Sequence, residues 1–160
     1  MALKTKILST ARTLVLIALA AVPFMGFTAE PSGLYRFELE DLSSFSTYNT
    51  GALDGRTSLW VLFQPNCASC KTQLKNLSCL SKDIEKIAVG IHGGRDQLNA
   101  ALRPLGFTGR KLMASRPLEK LLDTELTPTL YLVDRSGNAR RTIQGLVSCE
   151  TLRTALSKIL

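Results

Sequence analysis

Two patterns of hydrophobic residues alternate along the middle of the chain. Continuous apolar runs over residues 58–63, 86–91 and 129–133 predict strands that are buried on both faces of a sheet. Apolar residues also recur near a period of 3.6 from Ala68 to Ile84 and over residues 96–102, which predicts two helices. The order strand, helix, strand, helix is typical of an α/β fold with a parallel sheet at its centre.

Weaker signals extend this unit at both ends. Residues 37–40 alternate apolar and charged side chains, as a half-exposed strand does, and polar residues over 43–57 predict a loop with a short strand near Tyr48. The sequence therefore predicts an α/β sandwich whose mixed sheet is parallel first and antiparallel at the end, with an added N-terminal strand region. The remaining predicted elements are a strand at 111–114, a helix at 117–122, a hairpin turn at 134–138 with its return strand at 139–144, and a last helix capped by Ser148 that runs to Leu160.

The N-terminus has a different pattern from the rest of the chain. Lys4, Lys6 and Arg12 are its only charged residues before the unbroken apolar run of residues 14–22. A basic segment followed by a short apolar run is typical of a secretory signal. The run is shorter than the roughly 20 apolar residues that a spanning helix needs.

Two fates of this segment remain open. Ala29 suits the last position before a cleavage site, whereas Phe27 is large for the position two residues earlier. The sequence therefore predicts that residues 1–29 are a cleaved signal peptide or a retained N-terminal membrane anchor, and that residues 30–160 form one domain. In both cases the domain is delivered outside the cytoplasm, in a periplasmic compartment where disulfides can form.

Composition and charge exclude several other classes of protein. The chain has 160 residues, of which 45% are hydrophobic and 21% charged, values close to the averages of globular domains. This composition excludes a disordered chain, a collagen-like repeat and a multispan membrane protein. Residues 30–160 carry 17 basic and 13 acidic side chains, a net charge of +4 that is too small to indicate a nucleic-acid partner.

The chemistry of the chain centres on a Cys-x-x-Cys pair, Cys67 and Cys70, where a buried strand is predicted to turn into a helix. The N–H groups and partial positive charge of a helix N-terminus stabilise a thiolate, which lowers the pKa of Cys67 and makes it nucleophilic. Cys67 would attack a substrate disulfide, and Cys70 would resolve the mixed disulfide. Ala68 and Ser69, between the two cysteines, are expected to tune the reduction potential.

Three other uses of the pair remain open at this point. Cys67 and Cys70 could form an inert disulfide in a redox-inert binding module. They could bind Cu(I) with help from His92, the only histidine, as a copper chaperone would. A structural zinc site is disfavoured, because it usually needs two closely spaced pairs and the other two cysteines, Cys79 and Cys149, do not form one.

The second two cysteines are candidates for a further disulfide. Cys79 follows Cys70 by nine residues, which on one intact helix is a rise of about 13.5 Å and about half a turn, so it could not resolve Cys70. If the first and last helices cover the same face of the sheet, Cys79 and Cys149 could form a structural disulfide. Two buried thiols, or a relay pair that passes electrons to Cys67 and Cys70, remain the alternatives.

A second motif stands about 60 residues after the pair. The segment Phe63-x-x-x-Cys67-x-x-Cys70, followed by Thr127-Pro128-Thr-Leu-Tyr-Leu-Val-Asp-Arg-Ser-Gly137 and Gly145, resembles a thioredoxin fold. More narrowly, residues 34–160 resemble the TlpA-like extracytoplasmic thiol–disulfide oxidoreductases, which include membrane-tethered reductases of cytochrome c maturation. The resemblance implies a thioredoxin-like three-layer sandwich with an added N-terminal strand region and a helical insert near residues 95–106.

The resemblance also implies a function. It assigns Cys67 and Cys70 as the redox pair, and it places a cis Pro128 against them with the Thr127 backbone open to a substrate strand. It implies a periplasmic reductase of protein disulfides that needs no organic cofactor and takes its electrons from a membrane thiol donor. A protein-thiol oxidase is the first alternative, and an ordinary trans Pro128 at the start of a strand is the structural one.

Three positions depart from the pattern of this family. Asn66 stands where the family usually has tryptophan, and the only tryptophan, Trp60, is predicted to lie in the core. Gln73 replaces the acid that many family reductases carry three residues after the second cysteine, and Val61 replaces the buried aspartate of thioredoxin. The usual proton acceptor for Cys70 is therefore missing, which leaves Asn66, Gln73 or water as substitutes that tune the redox pair.

Overall fold

In the computed structural model, which describes residues 30–159, seven strands form one mixed sheet in the order β2-β1-β5-β4-β3-β6-β7. β3, β4 and β5 run parallel, and each remaining neighbouring pair is antiparallel. The predicted mixed sheet, with an added N-terminal strand region, is thus confirmed. The strands are β1 (Glu38–Asp41), β2 (Thr47–Asn49), β3 (Ser58–Phe63), β4 (Glu85–Gly90), β5 (Arg110–Met113), β6 (Thr129–Val133) and β7 (Ala139–Gln144).

Four α-helices within the described part of the chain cover the two faces of the sheet. None of them is long and apolar enough to cross a membrane. The predicted signal peptide or membrane anchor at residues 1–29 lies outside the described residues. The helices are α1 (Ala68–Asn76), α2 (Arg95–Leu102), α3 (Arg116–Leu122) and α4 (Cys149–Leu156).

Side chains of β3 alternate between two hydrophobic cores. Leu59, Val61 and Phe63 pack into the core that α1, α2 and α4 cover, whereas Trp60 and Leu62 point to the core beneath α3 and the N-terminal segment. Since both faces of this strand are buried, a continuous apolar run is what the strand needs. The result is the predicted three-layer sandwich, with Trp60 in the core and its indole N–H donating to the Ser58 hydroxyl.

The parallel arrangement also decides where the cysteine pair lies. β3 and β4 end at the same edge of the sheet, because parallel strands bring their carboxyl ends together, and the chain leaves β3 at Phe63 to begin α1 at Ala68. In open α/β sheets this edge is where ligands and catalytic groups collect. The start of α1, with Cys67 and Cys70, lies at this edge.

The first helix is shorter than its periodicity predicts. α1 ends at Asn76 and is followed by a 3₁₀ turn over Leu77–Cys79, so the predicted continuation to Ile84 is wrong. Local bonds compete with the helix here: Ser78 donates to the Lys75 carbonyl, and the Ser81 hydroxyl accepts from the Asp83 backbone. Buried leucines at 77 and 80 continue the apolar period even though the backbone has left the helix.

The last helix also ends early. α4 ends at Leu156 rather than at Leu160, and the backbone N–H groups of Lys158 and Ile159 bond three residues back, to Ala155 and Leu156. Such tighter bonds are a common way for a helix to satisfy its last carbonyls. Its predicted start is confirmed, because the Ser148 hydroxyl accepts the Thr151 N–H at 3.2 Å.

Candidate active site

The turn between β3 and α1 makes Cys67 the first, capping residue of the helix. Its backbone is extended, with φ −85° and ψ 103°, and its sulfur accepts a hydrogen bond from the Cys70 N–H at 3.1 Å. In most helices a serine, threonine, aspartate or asparagine oxygen takes this bond. Here a sulfur takes it, so one of the unpaired donors of the helix N-terminus points directly at Cys67 Sγ.

Cys67 and Cys70 are joined by a disulfide, with their Cα atoms 5.2 Å apart. The two sulfur-bearing residues differ in exposure: Cys67 is half-buried, whereas Cys70 is 1% exposed. An attacking group from another protein therefore reaches Cys67 before Cys70. This asymmetry is what the predicted roles of nucleophile and resolving cysteine require.

The Thr127–Pro128 segment lies beside this disulfide, although 60 residues separate the two motifs in sequence. The Thr127 carbonyl oxygen is 3.7 Å from Cys67 Sγ, and the Thr127–Pro128 peptide bond is cis. The segment is anchored on both sides, because Gly145 N–H donates to the Pro128 carbonyl and the Thr129 hydroxyl donates to the Leu126 carbonyl. The fold thus brings together the two motifs that the sequence singled out.

The four residues predicted to tune the pair lie in different surroundings. Asn66, Ala68 and Ser69 are exposed around the disulfide, and the Ser69 hydroxyl lies 3.4 Å from Cys67 Sγ. Gln73 is fully buried one turn further along α1. Of the exposed three, Ser69 contacts the outer sulfur, whereas Gln73 lies on the buried side of α1 with Cys70.

Gln73 also connects α1 to a segment that the sequence did not single out. Its Oε1 accepts a hydrogen bond from the Val147 N–H at 2.7 Å, across a sequence separation of 74. Its Nε2 is buried and has no hydrogen-bond partner among the described residues. Sequence reasoning missed Val147, because nothing in a one-dimensional pattern reports which backbone N–H the loop after β7 presents to α1.

A second disulfide joins the turn after α1 to the start of α4, which follows the loop that contains Val147. Cys79, in the turn after α1, is bonded to Cys149 at the start of α4, with a Cα–Cα distance of 6.4 Å. Side chains of α1 and α4 pack into one core on one face of the sheet, which is the condition that this pairing needed. Arg153 adds a hydrogen bond from its guanidinium to the Cys79 carbonyl.

Two exposed leucines flank Pro128 and were also missed. Leu126 is 59% exposed and Leu146 is 55% exposed, and both lie within two residues of the anchored ends of the Thr127–Pro128 segment. Among the described residues the third large apolar side chain with such exposure is Phe45, in the β1–β2 turn three strands away from β3. Exposure of a leucine has no signal in the sequence, since leucines are expected to be buried.

On the other side of Cys67 there is an open polar cavity of about 540 Å³, lined in part by Asn66, Lys71 and His92. His92 is exposed and has a positive φ of 52°. Among residues 30–159, no three histidine, cysteine, aspartate or glutamate side chains are arranged to hold a metal ion. His92 is an exposed loop residue before Gly93 and Gly94 and lines this cavity.

Tyr35, Tyr131 and Asp134 have shifted pKa values; the two tyrosines lie in the core beneath α3, and Asp134 lies in the turn between β6 and β7. Burial raises the pKa of both Tyr35 and Tyr131 to about 12, so each hydroxyl stays protonated and serves as a hydrogen-bond donor in the core. Burial by itself would raise the pKa of Asp134, but hydrogen bonds from Asn138 and Arg140 outweigh it and lower that pKa below 3.8.

No known family model matches the chain, and no curated protein matches it either. Solved structures do. A thiol:disulfide interchange protein of the thioredoxin family from Chlorobium tepidum TLS superposes with a TM-score of 0.69 at 15% identity, covering 82% of this chain and 97% of that one. The chain has a thioredoxin-like fold. At this level of identity the similarity shows the fold, which confirms the expected architecture.

Two further structures support the thioredoxin-like assignment. A secreted Mycobacterium tuberculosis disulfide oxidoreductase, described as homologous to E. coli DsbE, gives a TM-score of 0.68 at 11% identity, covering 78% of this chain and 96% of its own. StoA from Bacillus subtilis gives a TM-score of 0.63 at 16% identity, covering 78% and 98%. The thioredoxin-like domain of this chain therefore spans nearly the whole of each of these proteins.

Proposed function

We propose that this protein is a thiol–disulfide oxidoreductase that reduces disulfides of protein substrates through Cys67 and Cys70. The observation that carries the proposal is the position of the Cys67 sulfur. It caps α1, accepts the Cys70 N–H at 3.1 Å, and lies 3.7 Å from the Thr127 carbonyl. A sulfur with a helix N–H directed at it is stabilised as a thiolate, the form that attacks disulfides.

The reaction has two exchanges that balance in electrons and protons. In the reduced protein the Cys67 thiolate attacks one sulfur of the substrate disulfide, and the other substrate sulfur leaves with the electron pair and takes up a proton. Cys70, deprotonated to solvent, then attacks Cys67 Sγ, and the second substrate sulfur leaves and is protonated in turn. Two electrons pass from the cysteine pair to the substrate, and the Cys67–Cys70 disulfide remains.

The surface around the pair supports a polypeptide as the substrate. Thr127 presents its backbone beside Cys67, where an extended substrate segment can pair with it as an added strand. Leu126, two residues before Pro128, and Leu146, next to the Gly145 that donates to the Pro128 carbonyl, stand exposed. Each offers an apolar contact to side chains that flank the substrate cysteine. A small thiol such as glutathione uses none of these contacts.

The reductase direction and the compartment complete the proposal. Both come from the resemblance to TlpA-like extracytoplasmic reductases, together with the basic and apolar pattern of residues 1–29. A reductase in an oxidising compartment needs a dithiol donor to regenerate it, and a membrane thiol transporter is the class of partner that fits. Residues 1–29 serve either as a cleaved signal or as a tether in the same membrane.

The test is the equilibrium of the full chain with glutathione or dithiothreitol buffers, read by labelling Cys67 and Cys70 after acid quenching. We expect a potential near or below about −230 mV, in the range of thioredoxin-like reductases. The variant Cys79→Ser/Cys149→Ser, measured beside the wild type, assigns the signal to the first pair. A value near roughly −120 to −180 mV would instead assign the protein as an oxidase or isomerase.

The same sample separates the remaining alternatives. A Cys67–Cys70 bond that does not exchange with glutathione would identify a redox-inert binding module. Stoichiometric retention of Cu(I) by the reduced protein, lost in His92→Ala, would identify a copper chaperone.

A further inference from the structure

Gln73 is a fully buried polar side chain on the helix that carries the redox pair. It is 0% exposed and follows Cys70, itself 1% exposed, by three residues on α1. Residues three apart on a helix are neighbours on one face. Gln73 and Cys70 therefore share the buried face of α1, whereas Cys67 lies at the open end.

The orientation of the Gln73 amide follows from its partner. The Val147 backbone N–H can only donate, and it lies 2.7 Å from Oε1, so the amide oxygen must be the atom that faces Val147. The Nε2 amino group then points away from Val147 with two N–H donors. It is buried, and no described residue accepts a hydrogen bond from it in the structure, where Cys70 is oxidised.

We propose that Gln73 is a positioning residue for Cys70: in the reduced protein its Nε2–H donates a hydrogen bond to the Cys70 sulfur. This inference rests on the proposed function. It adds that Gln73 stabilises the reduced form of the cysteine pair. A disulfide sulfur is a weak acceptor, whereas a thiolate is a charged and strong one. The buried donor is thus unpaired in the disulfide and paired in the reduced protein, most strongly when Cys70 is a thiolate, which shifts the equilibrium towards the reduced form.

The two sulfurs then have separate donors. Cys67 Sγ is served by the Cys70 backbone N–H, and Cys70 Sγ is served by the Gln73 side chain. When Cys70 attacks Cys67 to release the substrate thiol, its proton passes to solvent, because an amide does not titrate near neutral pH. Gln73 stabilises the attacking thiolate and moves no proton.

Two substitutions separate this role from a structural one. Gln73→Glu keeps the size of the side chain and an oxygen for the Val147 N–H, and it replaces the donor with a negative charge once its carboxyl ionises. Because burial raises the pKa of a carboxyl, this variant is measured on both sides of that ionisation. Gln73→Leu removes both the donor and the acceptor. A role exerted only through Val147 would disturb Gln73→Leu and spare Gln73→Glu, whereas the proposed donor role disturbs both.

The experiment equilibrates the full-length wild type and both variants with glutathione, and follows the thiolate absorbance of each reduced protein against pH. At a pH where the new carboxyl of Gln73→Glu is ionised, we expect both variants to shift towards the disulfide by about tenfold or more, which is about 30 mV for a two-electron couple. The midpoint of the second step of thiolate formation, which the account assigns to Cys70, should rise in both. In Gln73→Glu alone the size of the shift should depend on pH, because protonation of the new carboxyl restores a donor.

The outcomes divide cleanly. If the wild type does not exchange with glutathione, the proposed function fails, and this inference fails with it. If the wild type exchanges and neither variant shifts the equilibrium, or only Gln73→Leu does, the donor role of Gln73 is overturned while the proposed function stands. Should Gln73→Leu not fold, Gln73→Glu still decides the question: with its carboxyl protonated it has a donor and should match the wild type, and a shift that persists in the protonated form would overturn the donor role.

Discussion

Each of the two disulfides of this chain includes a cysteine at the start of a helix. The two helices differ in the atom that accepts the hydrogen bond from a backbone N–H of the first turn. At α1 the capping atom is the sulfur of Cys67 itself, which accepts the Cys70 N–H. At α4 the cap is the Ser148 hydroxyl, and Cys149 is the residue that follows it. The oxygen of Ser148 takes the donor that at α1 is directed at sulfur.

The comparison teaches that a helix N-terminus does not by itself make a cysteine reactive. Both Cys67 and Cys149 are half-buried, so exposure does not separate them. What distinguishes Cys67 from Cys149 is the capping hydrogen bond to its sulfur and the Thr127 backbone, which lies beside Cys67. We therefore assign Cys67–Cys70 to chemistry and Cys79–Cys149 to holding α4 against the end of α1.

The largest expected effect is the loss of disulfide exchange when Cys67 is replaced. Cys67→Ser keeps a capping side chain for the Cys70 N–H but removes the nucleophile, so the exchange rate with a protein disulfide should fall by roughly 10³-fold or more. Circular dichroism should show that α1 is kept. Retention of more than a tenth of the activity would contradict the assignment of Cys67.

The second prediction concerns the other pair. Cys79→Ser/Cys149→Ser opens a loop closed over a separation of 70 residues, so the free energy of unfolding should fall by about 4 kcal/mol in the chain-entropy model. Denaturant unfolding of the oxidised proteins measures it. The exchange rate of Cys67–Cys70 should stay within about threefold, because the capping bond at Cys67 is untouched. Loss of exchange in this variant would instead indicate that the two pairs form a relay.

The third prediction sharpens the difference between the surfaces around the two disulfides. Leu126→Ser/Leu146→Ser removes the exposed apolar contacts beside Pro128. KM for a protein disulfide should rise about tenfold, since covering the exposed half of each leucine contributes on the order of 0.75 kcal/mol, or about 1.5 kcal/mol for the two. Exchange with glutathione should not change.

Phe45→Ser is the matched control for these leucines. Phe45 is 98% exposed but lies in the β1–β2 turn, three strands from β3. It should leave KM unchanged. Equal effects of the control and of the leucine variant would refute a docking role for Leu126 and Leu146.

The smallest effect tests the serine cap. Ser148→Ala leaves the Thr151 N–H without its acceptor and should lower the free energy of unfolding by about 1 kcal/mol, the usual cost of a lost N-cap. Thermal unfolding of the oxidised proteins measures the change. The reactivity of Cys67–Cys70 should be the same as in the wild type, and a slower exchange would show that the two helix starts are coupled.

A structural feature of this chain could be predicted from the sequence when its signal lies in consecutive residues. The bounds of β3, β6 and β7 follow directly from the apolar runs and from the hairpin turn, because strands buried on both faces or joined by a tight turn carry their signal in consecutive residues. The end of α1 does not, since Leu77 and Leu80 stay buried and in phase after the helix has ended. A period of apolar residues reports burial, and the backbone can satisfy it in more than one conformation.

The same distinction applies to the candidate site. Cys67 and Cys70 were found from residue types and spacing, which are local, whereas the role of the Thr127–Pro128 motif came from the resemblance to the thioredoxin fold. The link from Gln73 to Val147 and the exposure of Leu126 and Leu146 depend on how the loop after β7 packs against α1. These are tertiary features, and the sequence names the residue types without showing which atoms meet.

The most direct test of the account is to reduce the oxidised wild-type protein with a limiting amount of dithiothreitol, quench it with acid, and map the labelled cysteines by mass spectrometry. We predict that Cys67 and Cys70 are labelled first, at native pH and without denaturant, while Cys79 and Cys149 remain bonded. Labelling of Cys79 and Cys149 before or together with the first pair would contradict the division of the two disulfides into one reactive and one structural bond.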